Sequence, residues 1–284
     1  MRKDGFYPQA PYVRRIDSLT YTRNLSQMKR YIAQKVGIST ETSLSNRNVS
    51  MSNLIVNASH ALNLSEKRIV SVAMAKLDSI TKIPTNKPIK ISAVEFAECF
   101  GIDDRTAYDQ LRHGSQHLFQ RYITRTYQTP RGEAVEKIRW IDRIAYQDGE
   151  GTVELNFTSH VAPYLTALEK RFTTYKLQQT SALRSIHSWR LFENLKRWES
   201  TGKWLVEIDD FHRVMESTKS YQENFAQLRK WVIEPAVKEL RVVGDLEITW
   251  SPHKTGRRVT KILFLFKPTE QMSLPLSPSD GIVA

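Results

Sequence analysis

Residues 92–102 read SAVEFAECFGI, and this stretch decides the fold class. Ser92 and Glu95 have the spacing of a capping box, which begins a helix. Ala97 lies four residues before Gly101, so a small side chain lets a second helix approach and the glycine supplies a left-handed turn between the two helices. The stretch therefore predicts the first half of a helix-turn-helix.

Further helices are predicted on both sides of this stretch. Upstream, Asn63 and Glu66 form another capping pattern. The apolar residues of that helix recur at helical spacing and are Ile69, Ala73, Leu77 and Ile80. Downstream, a third helix is expected from Asp103 or Asp104 to about Phe119. Three helices in this order are typical of a helix-turn-helix domain.

The apolar residues that follow are spaced for strands instead of helices. Strands are predicted at residues 122–127, 135–146 and 153–157, with turns at 129–132 and 148–151. A strand meander directly after three helices is the order of a winged helix. These strands supply more apolar surface than one small domain is expected to cover, through Ile138, Trp140, Ile144 and Tyr146. This favours a dimer formed through this domain.

A similar order of elements recurs in the second half of the chain. The predicted elements are a helix at 186–199, a strand at 204–208, a helix at 211–216 capped by Asp209 or Asp210, and a long helix from Glu223 to Val243. Pro235 is expected to kink or break the long helix. The inward residues of that helix are Phe225, Leu228, Val232, Ala236 and Leu240.

A second wing follows, with strands at 246–250 and 259–266 and a turn at 251–256. The predicted fold class is therefore α+β, with two tandem winged-helix domains, a flexible basic N-terminal extension and a disordered C-terminal tail. The expected limits of these four segments are residues 1–51 for the extension, 52–180 and 181–267 for the two domains, and 268–284 for the tail.

The two ends differ from the domains in composition. The first 50 residues hold nine Lys and Arg against three acids, and residues 39–52 are rich in Ser, Thr and Asn, which predicts a flexible linker. Met51 stands where the first domain is expected to begin and is a candidate internal start. Residues 268–284 contain three prolines and show neither a helical nor a strand period, so we expect them to be disordered.

The charge balance points to a polyanionic partner. The chain has 284 residues with 42 Lys and Arg against 30 Asp and Glu, a formal net charge of +12. Nucleic acid is the leading interpretation, although ribosomal-type and membrane-surface proteins share this balance. The longest run of large apolar residues, Ile262 to Phe266, is far shorter than the roughly 20 residues that cross a bilayer. The single cysteine, Cys99, cannot form an internal disulfide, which fits a reducing compartment, and we expect it in the core. The protein is therefore expected in the cytoplasm, without a membrane partner.

The outward face of the predicted long helix carries side chains suited to reading bases. Gln227, Lys230 and Trp231 lie opposite Phe225 on this face, with Asn224 and Arg229 at its margins. Lys donates to guanine, whereas Asn and Gln pair with adenine. The alternative is a merely solvated face. Trp231 weighs against it because an exposed Trp needs a partner, although packing on the other domain would also serve.

Other basic residues are expected to meet the DNA backbone. The second wing carries Lys254, Arg257 and Arg258 beside His253. In the first domain, the third helix offers Arg105, Tyr108 and Arg112, interleaved with aspartates, which are expected to contact phosphates or a protein partner.

Enzymatic interpretations are weaker. The only Gly-Lys pair, at 202 and 203, lacks the first glycine of a nucleotide-binding loop, and no His-x-His pattern of a nicking enzyme occurs. His113 and His117 have metal-ligand spacing but no evident third ligand. We therefore expect no catalytic residue, metal site or cofactor.

Five stretches resemble the initiator replication proteins of iteron-containing, theta-replicating plasmids. They are NLIVNASHALNLSEKRIV (53–70), IRWIDRIAYQDGEGTVELNFTSHVAPYL (138–165), FTTYKLQQTSALRSIHSWRLFENL (172–195), YQENFAQLRKWVIEPAVKEL (221–240) and GRRVTKILFLF (256–266). The resemblance covers about residues 52–267. The long N-terminal extension and the tail depart from the pattern of that family.

The resemblance implies a bacterial protein that binds double-stranded origin DNA with direct repeats. Monomers would bind these iterons to open the origin, and dimers would repress the protein's own promoter. The second domain would read the major groove with residues 224–231 and the wing at 254–258, whereas the first would contact the DNA backbone and form the dimer. The host initiator and helicase would be further partners.

A winged-helix transcriptional regulator without a replication role is the main alternative, and a nicking nuclease is a third. Direct repeats of about 20 base pairs, two helical turns, beside the coding sequence would separate the first two.

A short motif in the tail also distinguishes an initiator from a regulator. Gln271, Met272, Leu274 and Leu276 resemble the peptide by which replication proteins dock on the bacterial sliding clamp. The leucines would fill an apolar cleft and the glutamine would fix the register. The alternative is a plain solvated tail.

Overall fold

A computed structural model describes residues 43–77, 88–147, 149–166, 168 and 171–269. The chain divides into two units, residues 1–43 and residues 44–284, and every element named below belongs to the second unit. Its helices are α1 (Asn53–Val56), α2 (Leu64–Lys76), α3 (Ala93–Phe100), α4 (Asp104–Leu118), α5 (Gln178–Ser181), α6 (Ile186–Arg197), α7 (Ile208–Met215), α8 (Lys219–Glu223), α9 (Phe225–Leu228) and α10 (Glu234–Val243).

The strands are β1 (Asn48–Ser52), β2 (Ile89–Ser92), β3 (Tyr122–Thr129), β4 (Gly132–Arg139), β5 (Ile141–Gln147), β6 (Thr152–Phe157), β7 (Phe172–Lys176), β8 (Lys203–Glu207), β9 (Leu246–Thr255) and β10 (Arg258–Pro268). Within the described ranges, no helix is long and apolar enough to cross a membrane.

The two halves repeat one order of elements, as predicted. In the first half the order is α2, β2, α3, α4, β5 and β6, with the β3–β4 hairpin inserted between α4 and β5, and the sheet order is β2-β6-β5. In the second half the same places are taken by α6, β8, α7, the long helix (residues 225–243, after α8), β9 and β10, with the sheet order β8-β10-β9. This confirms two tandem winged-helix domains. β2, the short strand that completes the first sheet, was not among the predicted strands.

The first helix-turn-helix forms through the local signals read from the sequence. Ser92 and Glu95 make both hydrogen bonds of a capping box, and Gly101 adopts the left-handed conformation at φ 57°. The Asp103 side chain caps α4 by accepting from the Thr106 amide, and Cys99 is buried. Asn63 and Glu66 likewise cap α2, which ends at Lys76, whereas Ile80 lies outside the described residues.

The prediction of a linker at 39–52 is wrong for residues 48–52. Residues 48–52 form β1, which pairs antiparallel with β7, so that Val49 lies opposite Tyr175. Val49 and Met51 are fully buried. The Ser and Asn content suggested a linker because the buried residues of β1 gain their partners only from β7, about 120 residues later in the chain.

The predicted strand at 135–146 is also wrong, since it breaks at Trp140 into β4 and β5. β3 and β4 form their own two-stranded sheet, whereas β5 joins the first winged-helix sheet. Trp140 is fully buried against His60, with ring centroids 5.7 Å apart. Ile138 is also buried, and Ile144 and Tyr146 are half-buried. These residues therefore complete the core, and the apolar excess that suggested a dimer is not present.

Three details of the second half differ from the prediction. Glu207, rather than Asp209 or Asp210, is the N-cap of α7, and both aspartates lie in its first turn. The strands of the second wing extend through residues 251–255, so that the turn contains only Gly256 and Arg257. α8 ends at Glu223, and Asn224 separates it from the long helix.

The long helix, residues 225–243, contains a π turn at Arg229–Ile233, in which the Glu234 amide donates to the Arg229 carbonyl. An α-helix advances about 100° per residue, so Leu228 and Val237, nine residues apart, would lie about 180° apart. Both are buried. Because the π turn holds one extra residue, it reduces this angle to about 80° and brings the buried residues onto one side. Pro235, where we expected a kink, stands two residues after the end of this turn.

A partly buried cluster of hydrogen bonds joins the two halves at Glu216. This carboxylate accepts hydrogen bonds from Ser59 Oγ at 3.0 Å, the His60 amide at 2.6 Å and the Ala61 amide at 2.5 Å. It also pairs with Arg190, which donates to the Met215 carbonyl at 3.0 Å. Glu216 holds this position with a φ of 52°, a conformation uncommon for residues other than glycine.

Replacing Glu216 by Ala is expected to lower the free energy of unfolding by about 3 to 5 kcal/mol, because it leaves the Arg190 guanidinium buried without its counter-ion. Urea denaturation of the full chain measures this change. Glu247→Ala is the matched control, since Glu247 forms an exposed ion pair with Lys267 and should change the free energy by less than about 1 kcal/mol. Equal losses in the two variants would contradict the assigned role of Glu216.

Candidate nucleic-acid interface

The long helix has one face buried in the core and an exposed face opposite to it. Leu228, Val232, Ala236 and Leu240 are buried, as predicted, whereas Phe225 is half-buried against Trp250. The five predicted base-reading positions are all exposed, namely Asn224, Gln227, Arg229, Lys230 and Trp231. We call these five exposed residues the helix face.

Two members of the helix face already have partners within the protein. Asn224 Oδ1 accepts from the Gln227 amide at 3.2 Å and so caps the long helix. Arg229 pairs with Glu234 at 2.6 Å and lies over the Trp250 ring. Both contacts are exposed, and such pairs contribute little stability, so Arg229 is available to exchange Glu234 for a phosphate.

Lys230 and Trp231 form a contact of their own at the centre of the helix face. The Lys230 ammonium lies 4.9 Å from the centroid of the Trp231 ring. Trp231 is 55% exposed. Packing of this side chain on the other domain, which the sequence left open, is therefore not observed. A large aromatic side chain that remains this exposed is typical of a binding surface.

The second wing adjoins the helix face at β9, where Trp250 lies under Arg229, and carries basic side chains at its tip. β9 and β10 pair with Arg258 opposite Thr255 and Val259 opposite Lys254, so that Arg257 lies at the two-residue tip. Lys254, Arg257 and Arg258 are exposed, and within residues 171–269 none of them forms an ion pair with an acid. Arg241 of α10 donates to the Ile248 carbonyl at 2.8 Å and fixes the base of the wing.

The corresponding helix of the first domain, α4, is less suited to bases. Arg105 and Arg112 are exposed, but Tyr108 packs edge-on against Tyr146 at 5.7 Å, and Arg112 lies over the same ring. Hydrogen bonds from the Thr106 side chain and amide hold the pKa of Asp103 below its ordinary value. An ionised carboxylate at the start of α4 repels DNA, so this helix is better suited to marginal backbone contacts.

Some candidate residues were missed in the sequence. On the β3–β4 sheet, Lys137 lies 4.8 Å from the Tyr122 ring centroid and Arg139 lies 5.7 Å from that of Phe119. Lys238 is exposed on α10. The alternation of aromatic and basic residues along the hairpin was a readable signal, but the face of Lys238 depends on the π turn, which the sequence pattern did not reveal.

The remaining predicted positions are the histidine pair of α4 and the tail motif. His113 Nδ1 lies 3.0 Å from the Asp109 carbonyl, and His117 is exposed. In the described part of the chain, no group of three or more His, Cys, Asp or Glu side chains is arranged to hold a metal ion. The tail motif, Gln271, Met272, Leu274 and Leu276, lies outside the described residues.

Comparison with protein families supports the architecture. A model described as "Initiator Replication protein, WH1" matches residues 48–196, and one described as "Initiator Rep protein, WH2" matches residues 207–266. The chain belongs to the initiator replication protein family. This confirms the family resemblance that the five sequence stretches indicated.

Individual relatives of this initiator replication protein are distant. The PI protein of Escherichia coli is 23% identical over 236 residues, covering 72% of this chain and 77% of its own length. An uncharacterized 27.6 kDa protein of Escherichia coli is 21% identical and covers 76% of this chain and 93% of its own length. A crystal structure of the Pi initiator protein in complex with iteron DNA shares the fold, with a TM-score of 0.67 and 23% identity over 80% of this chain and 99% of the solved chain.

Proposed function

We propose that this initiator replication protein binds repeated double-stranded sites, the iterons of a plasmid origin, and helps to open that origin without catalysing a reaction. The observation that carries the proposal is the helix face, with Gln227, Lys230 and Trp231 exposed together beside a basic wing. Gln and Lys side chains match adenine and guanine edges in the major groove. The fold shared with a protein solved on iteron DNA supports the same arrangement.

In this proposal the two parts of the interface have different roles. The helix face reads bases, whereas Lys254, Arg257 and Arg258 on the wing neutralise phosphates. Arg105, Tyr108 and Arg112 of the first domain add backbone contacts at most, since α4 begins with aspartates and Tyr108 is held by Tyr146. Specificity would therefore come from the second domain and general affinity from both.

Gln227→Ala and Lys230→Ala are each expected to weaken binding to the specific repeat by about 1 to 3 kcal/mol and to alter base preference, because they remove base-edge contacts. Arg257→Ala and Arg258→Ala should weaken binding to all sequences alike and reduce the salt slope by up to about one unit each. Fluorescence anisotropy with repeat and scrambled duplexes at several salt concentrations measures both effects. Equal losses on the two duplexes for the helix variants would refute the assignment.

A transcriptional regulator of the same fold would bind DNA through the same helix face and wing. What favours replication is the tail, since an initiator gains by holding replication proteins at an opened origin whereas a repressor does not. We therefore include in the proposal that Gln271, Met272, Leu274 and Leu276 dock on the host sliding clamp. The host initiator and helicase are further partners in this view.

A peptide of residues 268–284 is expected to bind the host sliding clamp in the micromolar range, about −8 kcal/mol or weaker. Peptides carrying Gln271→Ala, or Leu274→Ala with Leu276→Ala, should lose this affinity because they lack the register and anchor side chains. Isothermal titration calorimetry compares the three peptides. Absence of binding by the native peptide at about 100 μM would remove the clamp from the proposal and strengthen the regulator.

The proposal also includes a dimer that represses the protein's own promoter, formed through the first domain. Within the described ranges, no strand pairs with the outer edge of β4, and Val135 on this strand is 63% exposed. Antiparallel pairing of two β4 strands about Val135 would place Glu133 opposite Lys137 of the second copy. Cross-strand pairs of opposite charge favour such a register.

Val135→Asp is expected to raise the dimer dissociation constant tenfold or more, about 1.4 kcal/mol, because two carboxylates would meet at the twofold axis. Sedimentation equilibrium of the full chain measures the constant. Val94→Asp is the control, since Val94 is similarly exposed but lies on α3, away from the β4 edge. If Val135→Asp raises the dimer dissociation constant no more than Val94→Asp does, the dimer does not form through the β4 edge.

A further inference from the structure

The feature of the helix face that base hydrogen bonding does not explain is Trp231. Its neighbours on this face, Gln227 and Lys230, have polar ends that match base edges. The Trp231 indole is mostly apolar, offers a single N–H donor and is 55% exposed. Leaving this area in water is unfavourable, so the side chain is expected to gain its burial in the complex.

The π turn fixes Trp231 at this place. Trp231 lies within Arg229–Ile233, and the turn is closed by the Glu234 amide on the Arg229 carbonyl. Pro235 stands four residues after Trp231 and has no amide hydrogen, so an α-helical bond to the Trp231 carbonyl cannot form. π turns inside α-helices occur frequently at functional sites. The backbone that carries the indole is therefore set by the protein before DNA binds.

The contact with Lys230 restricts how the indole can meet DNA. The Lys230 ammonium lies 4.9 Å from the ring centroid, so a cation is close to the aromatic ring. Stacking between bases would require the duplex to be opened, at a cost of a few kcal/mol per step. In an intact major groove, the apolar group on the base edges is the C5-methyl group of thymine.

We propose that Trp231 is a specificity-determining residue that reads a thymine by contact with its C5-methyl group in the major groove. The inference rests on the proposed function, since it requires the helix face to lie in that groove. Lys230 beside the indole would donate to a neighbouring guanine or phosphate. Aromatic and cationic side chains would thus read adjacent positions of one strand.

The test removes single methyl groups from the DNA. The full chain first selects a duplex from a random-sequence pool, and each thymine of that duplex is then replaced in turn by 2′-deoxyuridine, which lacks only the methyl group. Dissociation constants are measured by fluorescence anisotropy for the unmodified chain, Trp231→Ala, Trp231→Phe and Leu265→Ala. Leu265 is the matched control because it is an exposed apolar side chain, 46% exposed, on a strand of the same domain.

At one thymine, deoxyuridine is expected to weaken binding of the unmodified chain about fourfold, which corresponds to about 0.8 kcal/mol for one buried methyl group. Trp231→Ala should bind the thymine duplex more weakly and show no further loss with deoxyuridine at that position. Trp231→Phe should keep part of the methyl effect, and Leu265→Ala should keep all of it.

Three results would overturn the inference while leaving the proposed function intact. The first is a selected duplex that tolerates deoxyuridine at every position. The second is a methyl effect of the same size in Trp231→Ala, which would mean that another residue reads the thymine. The third is normal DNA binding by Trp231→Ala, which would indicate a protein contact for this indole. A chain that selects no sequence at all would refute the proposed function and the inference together.

Discussion

Arg190 and Glu193 of α6 are both buried, and the rest of the structure depends on how these two charges are matched. Glu193 pairs with Lys67 of α2 at 2.8 Å and accepts from the Tyr175 hydroxyl at 2.7 Å. Arg190 pairs with Glu216 and donates to the Leu62 carbonyl at 3.1 Å. A buried charge without its partner is strongly destabilising, so these contacts hold both halves of the protein against one helix.

The electrostatics of this junction keep its neutral groups neutral. Burial and the nearby Glu193 carboxylate raise the pKa of Tyr175 well above its ordinary value, so the hydroxyl retains its proton and remains a donor. Burial, Lys67 and Arg190 lower the pKa of His60 well below its ordinary value. The unfolded chain therefore binds the His60 proton more readily, and the contribution of this residue to stability is lost as the pH falls below about 6.5.

A fixed junction has a direct consequence for DNA recognition. The helix face, the wing and α6 belong to the second half, whereas the Lys67 ammonium and the Leu62 carbonyl that anchor α6 come from the first. The two helix-turn-helix elements are therefore presented together. Only one of them is well suited to bases, because α4 begins with aspartates, whereas the long helix begins with a neutral Asn224 cap and continues into a π turn. One fold thus yields two surfaces of different chemistry.

The sequence by itself determined the features that depend on neighbouring residues. The cap at Ser92, the left-handed Gly101 and the burial of Leu228 and Val232 follow from spacing alone, since each requires only residues within one or two helical turns. The exposure of Gln227 and Lys230 follows from the same periodicity. Their role in binding DNA remains a proposal that periodicity cannot decide.

Only the tertiary structure decided the features that join distant residues. β1 pairs with β7 across more than 120 residues, and Trp140 divides a continuous β-pattern between two sheets because its ring is buried against His60. The π turn arises because Leu228 and Val237 must both reach one core. Glu216 accepts a left-handed backbone because its carboxylate meets Arg190, the Ser59 hydroxyl and the His60 and Ala61 amides. In each case the deciding energy is that of burial or charge pairing with residues far away in sequence, which no local pattern records.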